Sequence, residues 1–172
     1  MSAGITIRQF ADTDASWVRG LFISITRSLC PPELREAFEA YISRSLAEEI
    51  DRISDYYREK RGGFWVAMQG DEPVGMFGLE QTADGAMELR RMYVDPGARR
   101  RGIARQMLHF AEDECRRRAV SRLVLSTSEL QTAALALYRN AGYRLVHEAV
   151  AEAASNKTVG AGIRRYCFEK GL

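Results

Sequence analysis

An arginine-rich turn between a strand pattern and a helix pattern constrains this chain more than any other segment. It reads Met92-Tyr93-Val94-Asp95-Pro96-Gly97-Ala98-Arg99-Arg100-Arg101-Gly102-Ile103-Ala104-Arg105. The strand pattern stops at Asp95-Pro96, and the helix pattern begins near Gly102. The first N–H groups of a helix have no partners within the helix, and the helix dipole places roughly half a positive charge there. Because such an end binds a diphosphate readily, the sequence predicts an anion site at this turn.

The residue types in the turn suit that prediction. Small residues at Gly102 and Ala104 would let phosphate oxygens approach the backbone closely. The arginines at 99–101 and Arg105 can add charge-assisted hydrogen bonds. A solvated basic loop that caps an ordinary helix is the alternative interpretation of this segment by itself. The turn lacks the G-x-x-x-x-G-K-[ST] pattern of P-loops, and no βαβ unit with G-x-G-x-x-G surrounds it.

Hydrophobic periodicity predicts the remaining elements. The strand patterns cover residues 5–10, 64–69, 73–81, 86–94, 122–126, 143–148 and 163–169. The helix patterns cover about 12–28, 33–60, 102–118 and 130–140. Short turns between the strands from 64 to 94 predict an antiparallel meander. The order of elements predicts one domain over residues 1–172 with a mixed α/β fold, in which helices flank a mostly antiparallel central sheet.

Composition excludes several classes of protein. No apolar run approaches the ~18 residues that span a membrane, and the N-terminus lacks a signal-peptide core, so we expect a cytoplasmic protein. A net charge of +2 is too small to indicate a nucleic-acid partner. The chain has 3 cysteines without a C-x-x-C pair and only 2 histidines, so we expect neither a metal site nor a disulfide framework.

Two segments resemble the signatures of the GNAT acetyltransferases. The first signature, [QR]-x-x-G-x-[GA], is matched by Arg99-x-x-Gly102-x-Ala104. The second, roughly N-x-x-A-x-x-L-Y-x-x-x-G-[FY], is matched by Gln131-x-x-Ala134-x-x-Leu137-Tyr138-x-x-x-Gly142-Tyr143. Many members have glycine at the place of Arg100, and asparagine is commoner at the place of Gln131. The resemblance is best over residues 64–148, and the order of elements extends a GNAT-like acyl-CoA N-acyltransferase fold to the whole chain.

The resemblance implies acetyl-CoA as co-substrate and no metal. It also implies that the backbone of Met92 and Val94 pairs with the pantetheine amides like one more strand. A bulge in that strand would free an N–H that polarises the acetyl carbonyl. The residues expected to bind acetyl-CoA are Met92, Tyr93, Val94, Arg99, Arg100, Arg101, Gly102, Ile103, Ala104, Arg105, Gln131, Ala134 and Tyr138.

Acetyl transfer from a thioester to an amine needs a base for the amine and an acid for the departing thiolate. The resemblance implies that Tyr138 is the acid, and a packing residue is the alternative at this position. Glu88 is the candidate base. By period-2 alternation it would share a strand face with Arg90, Met92 and Val94. A solvated carboxylate paired with Arg90 or Arg122 is the alternative for Glu88, and Glu80 is the reserve candidate.

The acceptor is expected to be a primary amine of a small molecule: an amino acid, an amino-acid conjugate or another amine. A protein or peptide acetyltransferase and a catalytically silent CoA-binding sensor are the alternatives. The resemblance places the acceptor site at residues 28–60 and 151–162, where Tyr41, Tyr56 and Tyr57 could line a pocket or pack against the sheet. It also makes a homodimer an option, with no nucleic-acid or membrane partner expected.

Overall fold

Seven strands form one sheet in the computed structural model, which describes residues 4–172. The strands are β1 Ile5–Gln9, β2 Gly63–Gln69, β3 Glu72–Gln81, β4 Met87–Val94, β5 Arg122–Ser128, β6 Arg144–Ala151 and β7 Ile163–Gly171. The α-helices are α1 Ala15–Ser28, α2 Arg35–Glu48, α3 Ile53–Glu59, α4 Ile103–Arg117 and α5 Thr132–Asn140.

The strand order across the sheet is β1-β2-β3-β4-β5-β7-β6. Strands β1 to β4 pair antiparallel in sequence order, as do β5 with β7 and β7 with β6. Only β4 and β5 pair in parallel among the described strands. The predicted mixed fold and the predicted meander are therefore confirmed.

The long helix predicted over residues 33–60 is wrong, because the structure divides it into α2 and α3. The backbone leaves the helical region at Glu49, with φ −140° and ψ −61°, and again at Arg52. Glu49 is fully buried at this break. A continuous helix would keep the periodic pattern but would not bring this carboxylate to the arginines of β4, so tertiary ion pairing overrides local helix preference.

Helices cover both faces of the sheet. On one face α4 and α5 pack over alternate strand residues, including Trp65, Phe77 and Leu89. On the other face α1, α2 and α3 pack over the intervening residues, including Phe64 and Met76. Each fully buried side chain of this size contributes about 1.5–3 kcal/mol relative to exposure. These two cores fix the sheet between its helical layers.

Strand β4 carries a β-bulge. The pairing with β3 runs from Gln81↔Met87 to Gly78↔Arg90 and resumes at Met76↔Tyr93, so two residues of β4 lie opposite Phe77. Arg91, at this point, has φ 54° in the left-handed region. The extra residue changes which face the following side chains occupy.

Strands β4 and β5 diverge towards their carboxyl ends. They pair from Met87↔Leu123 to Leu89↔Leu125 and not beyond, although both strands continue. Over that remaining length β5 keeps its pairing with β7 through Ser128↔Arg165. Residues 90–94 of β4 therefore present one backbone edge to the gap between the two strands.

Candidate active site

The gap between β4 and β5 opens into a cleft that has polar walls. Among the described residues, its lining comes from both strands, from the segments that form or adjoin α2 and α5, from the loop before β7 and from β7 itself. The residues are Tyr41, Glu88, Leu89, Arg90, Arg91, Met92, Tyr93, Ser126, Thr127, Gln131, Ala134, Tyr138, Asn156, Lys157 and Arg165. The cleft thus brings together Glu88, Met92, Tyr93, Gln131, Ala134 and Tyr138, which the sequence singled out.

The arginine-rich turn leads directly from β4 to the start of α4. A short 3-10 turn at Pro96–Ala98 follows Asp95, whose side chain accepts a hydrogen bond from the Gly97 N–H at 2.8 Å. In α4, the first backbone N–H that is hydrogen-bonded to a carbonyl is that of Gln106, which donates to the Gly102 carbonyl at 3.1 Å. Within residues 4–172, none of the N–H groups of residues 99–105 donates a well-formed hydrogen bond to a carbonyl or a side chain. These donors are free to bind an anion.

The backbone of the turn has the conformation that small residues allow. Gly102 has φ 75°, and a Cβ built on it would meet no atom within 4 Å. Arg100 has φ 64°, the left-handed region that glycine adopts most readily. The side chains of Arg99, Arg100 and Arg105 are exposed. Arg101 is tied back, because it donates to Gln69 Oε1 at 2.8 Å and to the Gly97 carbonyl at 3.3 Å.

Ile103 and Ala104 contribute to the turn through their backbone. Ile103 is the first residue of α4, and its buried side chain anchors the first turn of the helix in the core. Ala104 is half-buried beside it. Anchoring of this kind holds the free N–H groups in one arrangement before any ligand arrives.

The prediction that Glu88 shares a strand face with Met92 and Val94 is wrong. Glu88 and Arg90 lie on the face of α1–α3, whereas Met92 and Val94 pack on the face of α4 and α5. Tyr93 packs against the opposite core. The bulge at Arg91 causes the exchange, since one inserted residue reverses the alternation of a strand.

Tyr138 lies on α5 with its ring against Tyr143 and Phe168, at centroid distances of 5.9 and 6.2 Å. The side chain is 6% exposed, and that surface lines the cleft. Burial raises the pKa of the Tyr138 phenol above its ordinary value, and Tyr93 adds to the effect. The ring therefore packs in the core, the residue borders the cleft, and the raised pKa keeps its hydroxyl protonated.

Glu88 lies on the cleft wall, where it accepts a hydrogen bond from Lys157 Nζ at 2.6 Å. The two arginine partners considered for Glu88 are wrong, because Arg90 pairs with Glu49 and Glu80 while Arg122 pairs with Asp84 and Glu169. Lys157 also binds Glu80 Oε1 at 2.8 Å. Burial lowers the pKa of Lys157, but the two carboxylates outweigh it and raise that pKa.

Gln131 and Ala134 border the cleft at the start of α5. The amide oxygen of Gln131 accepts from Thr127 Oγ1 at 2.9 Å and from the Ser128 N–H at 3.3 Å. This bonding ties the amide to the end of β5 and closes the turn between the strand and the helix. Ala134, one turn further along, adds a small side chain to the same wall.

A buried ion network forms the floor of the cleft. Glu49 accepts from Arg90 Nη2 at 2.8 Å and from Arg91 Nε and Nη2, both at 3.0 Å. Tyr57 OH donates to the same carboxylate at 2.7 Å. Burial by itself raises the pKa of Glu49, but the charges of Arg91 and Arg90 outweigh it and hold that pKa below its usual range. Glu80 completes the network by pairing with Arg90 at 2.8 Å.

The loop between β6 and β7 inserts into this network. Asn156 and Lys157 of this loop line the cleft. The backbone carbonyl of Asn156 accepts a hydrogen bond from Arg91 Nη2 at 2.6 Å. The side-chain Nδ2 of Asn156 donates to Glu49 Oε1 at 3.2 Å. The buried arginines thereby hold the loop against the sheet.

The tyrosines at 41, 56 and 57 divide between the two roles considered for them. Tyr41 lines the cleft and accepts from Arg91 Nη1 at 2.6 Å. Tyr56 and Tyr57 pack in the core beneath α3, and their hydroxyls donate to Glu80 and Glu49. The latter two support the floor of the cleft instead of lining it.

A second cavity adjoins the cleft. The residues that line it are Thr26, Leu29, Phe38, Tyr41, Tyr93, Ser128, Leu130, Gln131, Thr158, Val159, Ile163 and Arg165. Four of them also line the cleft: Tyr41, Tyr93, Gln131 and Arg165. Residues of α1 and α2 and of the loop before β7 thus line a compartment next to the cleft.

Sequence reasoning missed Glu49, Asn156, Lys157 and Arg165. For Glu49, the adjacent charges of Arg90-Arg91 were the one available signal, because they break the period-2 pattern of β4 and indicate a bulge. For Asn156, Lys157 and Arg165, which are distant in sequence from β4, no local pattern marks their contacts. Within residues 4–172, no group of three or more His, Cys, Asp or Glu side chains could hold a metal ion. No helix in that range is both long and apolar enough to cross a bilayer.

Comparison with known proteins places this geometry in a family. Residues 30–143 match the model of the acetyltransferase (GNAT) family. Human N-acetyltransferase 8 is 32% identical over 142 residues, which cover 75% of this chain and 60% of that protein. N-acetylaspartate synthetase of Danio rerio is 30% identical over 136 residues, 73% of this chain and 48% of that protein. The chain therefore spans about half to three fifths of these relatives.

A solved structure shows the same fold. The paia N-acetyltransferase of Thermoplasma acidophilum, in complex with coenzyme A, superposes with a TM-score of 0.74 at 16% identity. The match covers 98% of this chain and 99% of that chain. The family model covers most of the sequence, and both signatures lie where the structure forms the turn and the wall of α5. The chain belongs to the acetyltransferase (GNAT) family.

Proposed function

We propose that this chain transfers the acetyl group of acetyl-CoA to the primary amine of a small molecule by direct attack while both substrates are bound. The observation that carries the proposal is the row of free N–H groups at residues 99–105, which continues from a strand edge that borders the cleft. Coenzyme A joins a diphosphate to a chain of amides that ends in a thiol, so a diphosphate site next to an open strand edge suits its shape. The coenzyme A complex of the Thermoplasma acidophilum protein supports this choice of ligand.

The free N–H groups of residues 99–105 would bind the diphosphate, aided by the helix dipole of α4. The exposed arginines Arg99, Arg100 and Arg105 would add contacts to phosphate oxygens. The edge of β4 at Met92 and Val94 would pair with the pantetheine amides in the gap beside β5. Gln131 and Ala134 would form the opposite wall.

The bulge supplies a means of polarising the acetyl carbonyl. Two residues of β4, Arg91 and Met92, lie opposite Phe77 of β3, so the regular ladder of hydrogen bonds is interrupted there. An N–H freed in this way can donate to an oxygen that gains negative charge during attack. The donor lies in the backbone, where it is fixed before the substrate binds.

Glu88 and Tyr138 would handle the protons. An alkyl amine has a pKa near ~10, so it must lose a proton before it attacks. The Glu88 carboxylate, which lines the cleft, would accept that proton. Tyr138 would donate a hydrogen bond to the departing sulfur. Because burial raises the pKa of this phenol, full transfer of its proton to the sulfur is less favourable. The hydrogen bond itself strengthens as the sulfur gains negative charge, and this stabilises the departing thiolate.

The test is release of free thiol from acetyl-CoA with a panel of small amines and, in parallel, a panel of peptides. Turnover with one or more small amines, and mass-spectrometric detection of the acetylated amine, is the expected result. Turnover with peptides alone would identify a protein acetyltransferase instead. Binding of acetyl-CoA without turnover of any acceptor would identify a sensor.

A further inference from the structure

Arg165 is the cation in the cleft whose charge the described residues leave unbalanced. Arg90 and Arg91 pair with Glu49 and Glu80, and Lys157 pairs with Glu80 and Glu88. These four cations face three carboxylates, so one positive charge remains. Arg165 donates its one hydrogen bond within residues 4–172 to the neutral Ser126 Oγ, at 2.9 Å from Nη2.

Strand β7 places this guanidinium deep in the site. Arg165 lies opposite Ser128 of β5, on the cleft side of the sheet. It is half-buried, and it lines both the cleft and the second cavity. Burial lowers the pKa of Arg165 and outweighs the nearby Tyr41, Tyr93 and Cys167, which act in the opposite direction. A guanidinium nevertheless stays protonated in proteins, so the site keeps a positive charge that is costly to leave unpaired.

The co-substrate does not supply the missing anion. Its diphosphate would bind at residues 99–105, and none of these residues is among those that line the cleft or the second cavity. The pantetheine arm and the acetyl group that would enter the cleft are uncharged. The missing partner must then arrive with the acceptor.

We infer that Arg165 determines acceptor specificity by binding a carboxylate of the acceptor, so that the substrate is a small amine that also carries a carboxylate group. This inference rests on the proposed function. The planar fork of a guanidinium can bind both oxygens of a carboxylate and orient the molecule that carries it. The second cavity beyond Arg165 has apolar lining from Leu29, Phe38, Val159 and Ile163, which suits an apolar substituent on the same acceptor.

The experiment compares each of the common L-amino acids with its own carboxamide as acceptor, in the wild type, in Arg165→Gln and in Arg164→Gln. Arg164 is the matched control because it precedes Arg165 in β7, is about 40% exposed and pairs with Glu148. The wild type should prefer the acids, with kcat/KM about tenfold or more above that of the carboxamides. Arg165→Gln should remove that preference by raising KM for the acids, leaving KM for acetyl-CoA unchanged. Arg164→Gln should behave like the wild type.

Equal use of acids and carboxamides by the wild type would overturn the role of Arg165. An equal loss of both activities in Arg165→Gln would overturn it too, since that result marks a structural residue. If no acceptor releases thiol, the proposed transfer itself fails. Calorimetric titration of the same amino acids into the CoA-bound protein then decides the Arg165 question: weaker binding of the acids to Arg165→Gln supports the inference, and unchanged binding, or none to either protein, refutes it.

Discussion

Two side chains in the cleft are the candidates for acid–base roles in the proposed transfer. Tyr138 packs its ring in the core and lines the cleft. Glu88 of β4 lines the same cleft, in contact with Lys157. At the scale of single residues, the sequence singled out both as candidates, but it could not single out Lys157, which lies 69 residues from Glu88 along the chain.

Replacement of Tyr138 by Phe tests the hydroxyl without removing the packed ring. We expect kcat to fall by about tenfold or more, since general acid–base groups typically contribute about 10²–10⁴ and a hydrogen bond alone contributes less. The affinity for acetyl-CoA should stay within about twofold, because the ring contacts remain. Steady-state kinetics and calorimetry measure the two quantities, and an unaltered kcat would exclude Tyr138 from the chemistry.

Replacement of Glu88 by Gln tests the candidate base. The amide keeps the size of the side chain but cannot accept the proton of the amine, so kcat should fall by about 100-fold or more. Glu148→Gln is the control, because this carboxylate is exposed on β6. A normal kcat in Glu88→Gln, together with a large loss in Glu80→Gln, would transfer the role to Glu80.

At the scale of elements, the sequence predicted what is local. The turn at residues 99–105, the meander β2–β4 and the helix α4 depend on neighbouring residues, and all of them form as expected. The break between α2 and α3 was missed because the helical periodicity of the sequence continues across Glu49. The position of Glu49 is set by its hydrogen bonds with Arg90 and Arg91, which are distant in sequence. The divergence of β4 from β5 has no sequence signal, since strand pairing depends on segments that are distant along the chain.

Gly102→Val tests the helix end as an anion site. A β-branched side chain at φ 75° is strained and would project into the space that phosphate oxygens need. We expect loss of acetyl-CoA binding by at least about 100-fold. Gly85→Val is a matched control, because Gly85 has φ 84°, also meets no atom within 4 Å of an added Cβ, and lies in the turn before β4.

Both glycine variants should lose similar thermal stability, and only Gly102→Val should lose acetyl-CoA binding in calorimetry. Normal binding by Gly102→Val would refute a diphosphate site at this turn. Loss of binding in both variants would attribute the effect to general destabilisation.

At the scale of the whole molecule, the buried network joins parts of the chain that are far apart. Glu49 follows α2, Arg90 and Arg91 lie in β4, and Asn156 belongs to the loop before β7. The network therefore connects the helical layer, the sheet and the loop at one point. Removing one partner leaves a buried charge without compensation, which costs about 3–5 kcal/mol.

We expect Glu49→Gln to lower the free energy of unfolding at neutral pH by about 3 kcal/mol or more. The folded-state pKa of Glu49 is held below its unfolded value, so its contribution is complete above about pH 5 and is lost as pH falls through the lower, folded-state pKa. The difference in Tm between wild type and variant should thus shrink on acidification from pH 7 to pH 3. Glu39→Gln, at an exposed pair with Arg27, serves as the control. A pH-independent difference would contradict this account.

The single additional residue at the bulge of β4 has a consequence for protein engineering and for sequence divergence in this segment. Before Arg91, the odd-numbered residues of β4 face α4 and the even-numbered residues face the cleft. After Arg91, the even-numbered residues face α4 and the odd-numbered residue Tyr93 faces the opposite side. Deleting one residue there would move the Tyr93 phenol into the aliphatic layer under α4 and turn the Met92 and Val94 side chains towards the charged floor. A single substitution in β4 changes one contact, whereas a change of its length by one residue would reverse every following side chain and would have to be accompanied by a compensating change in β3.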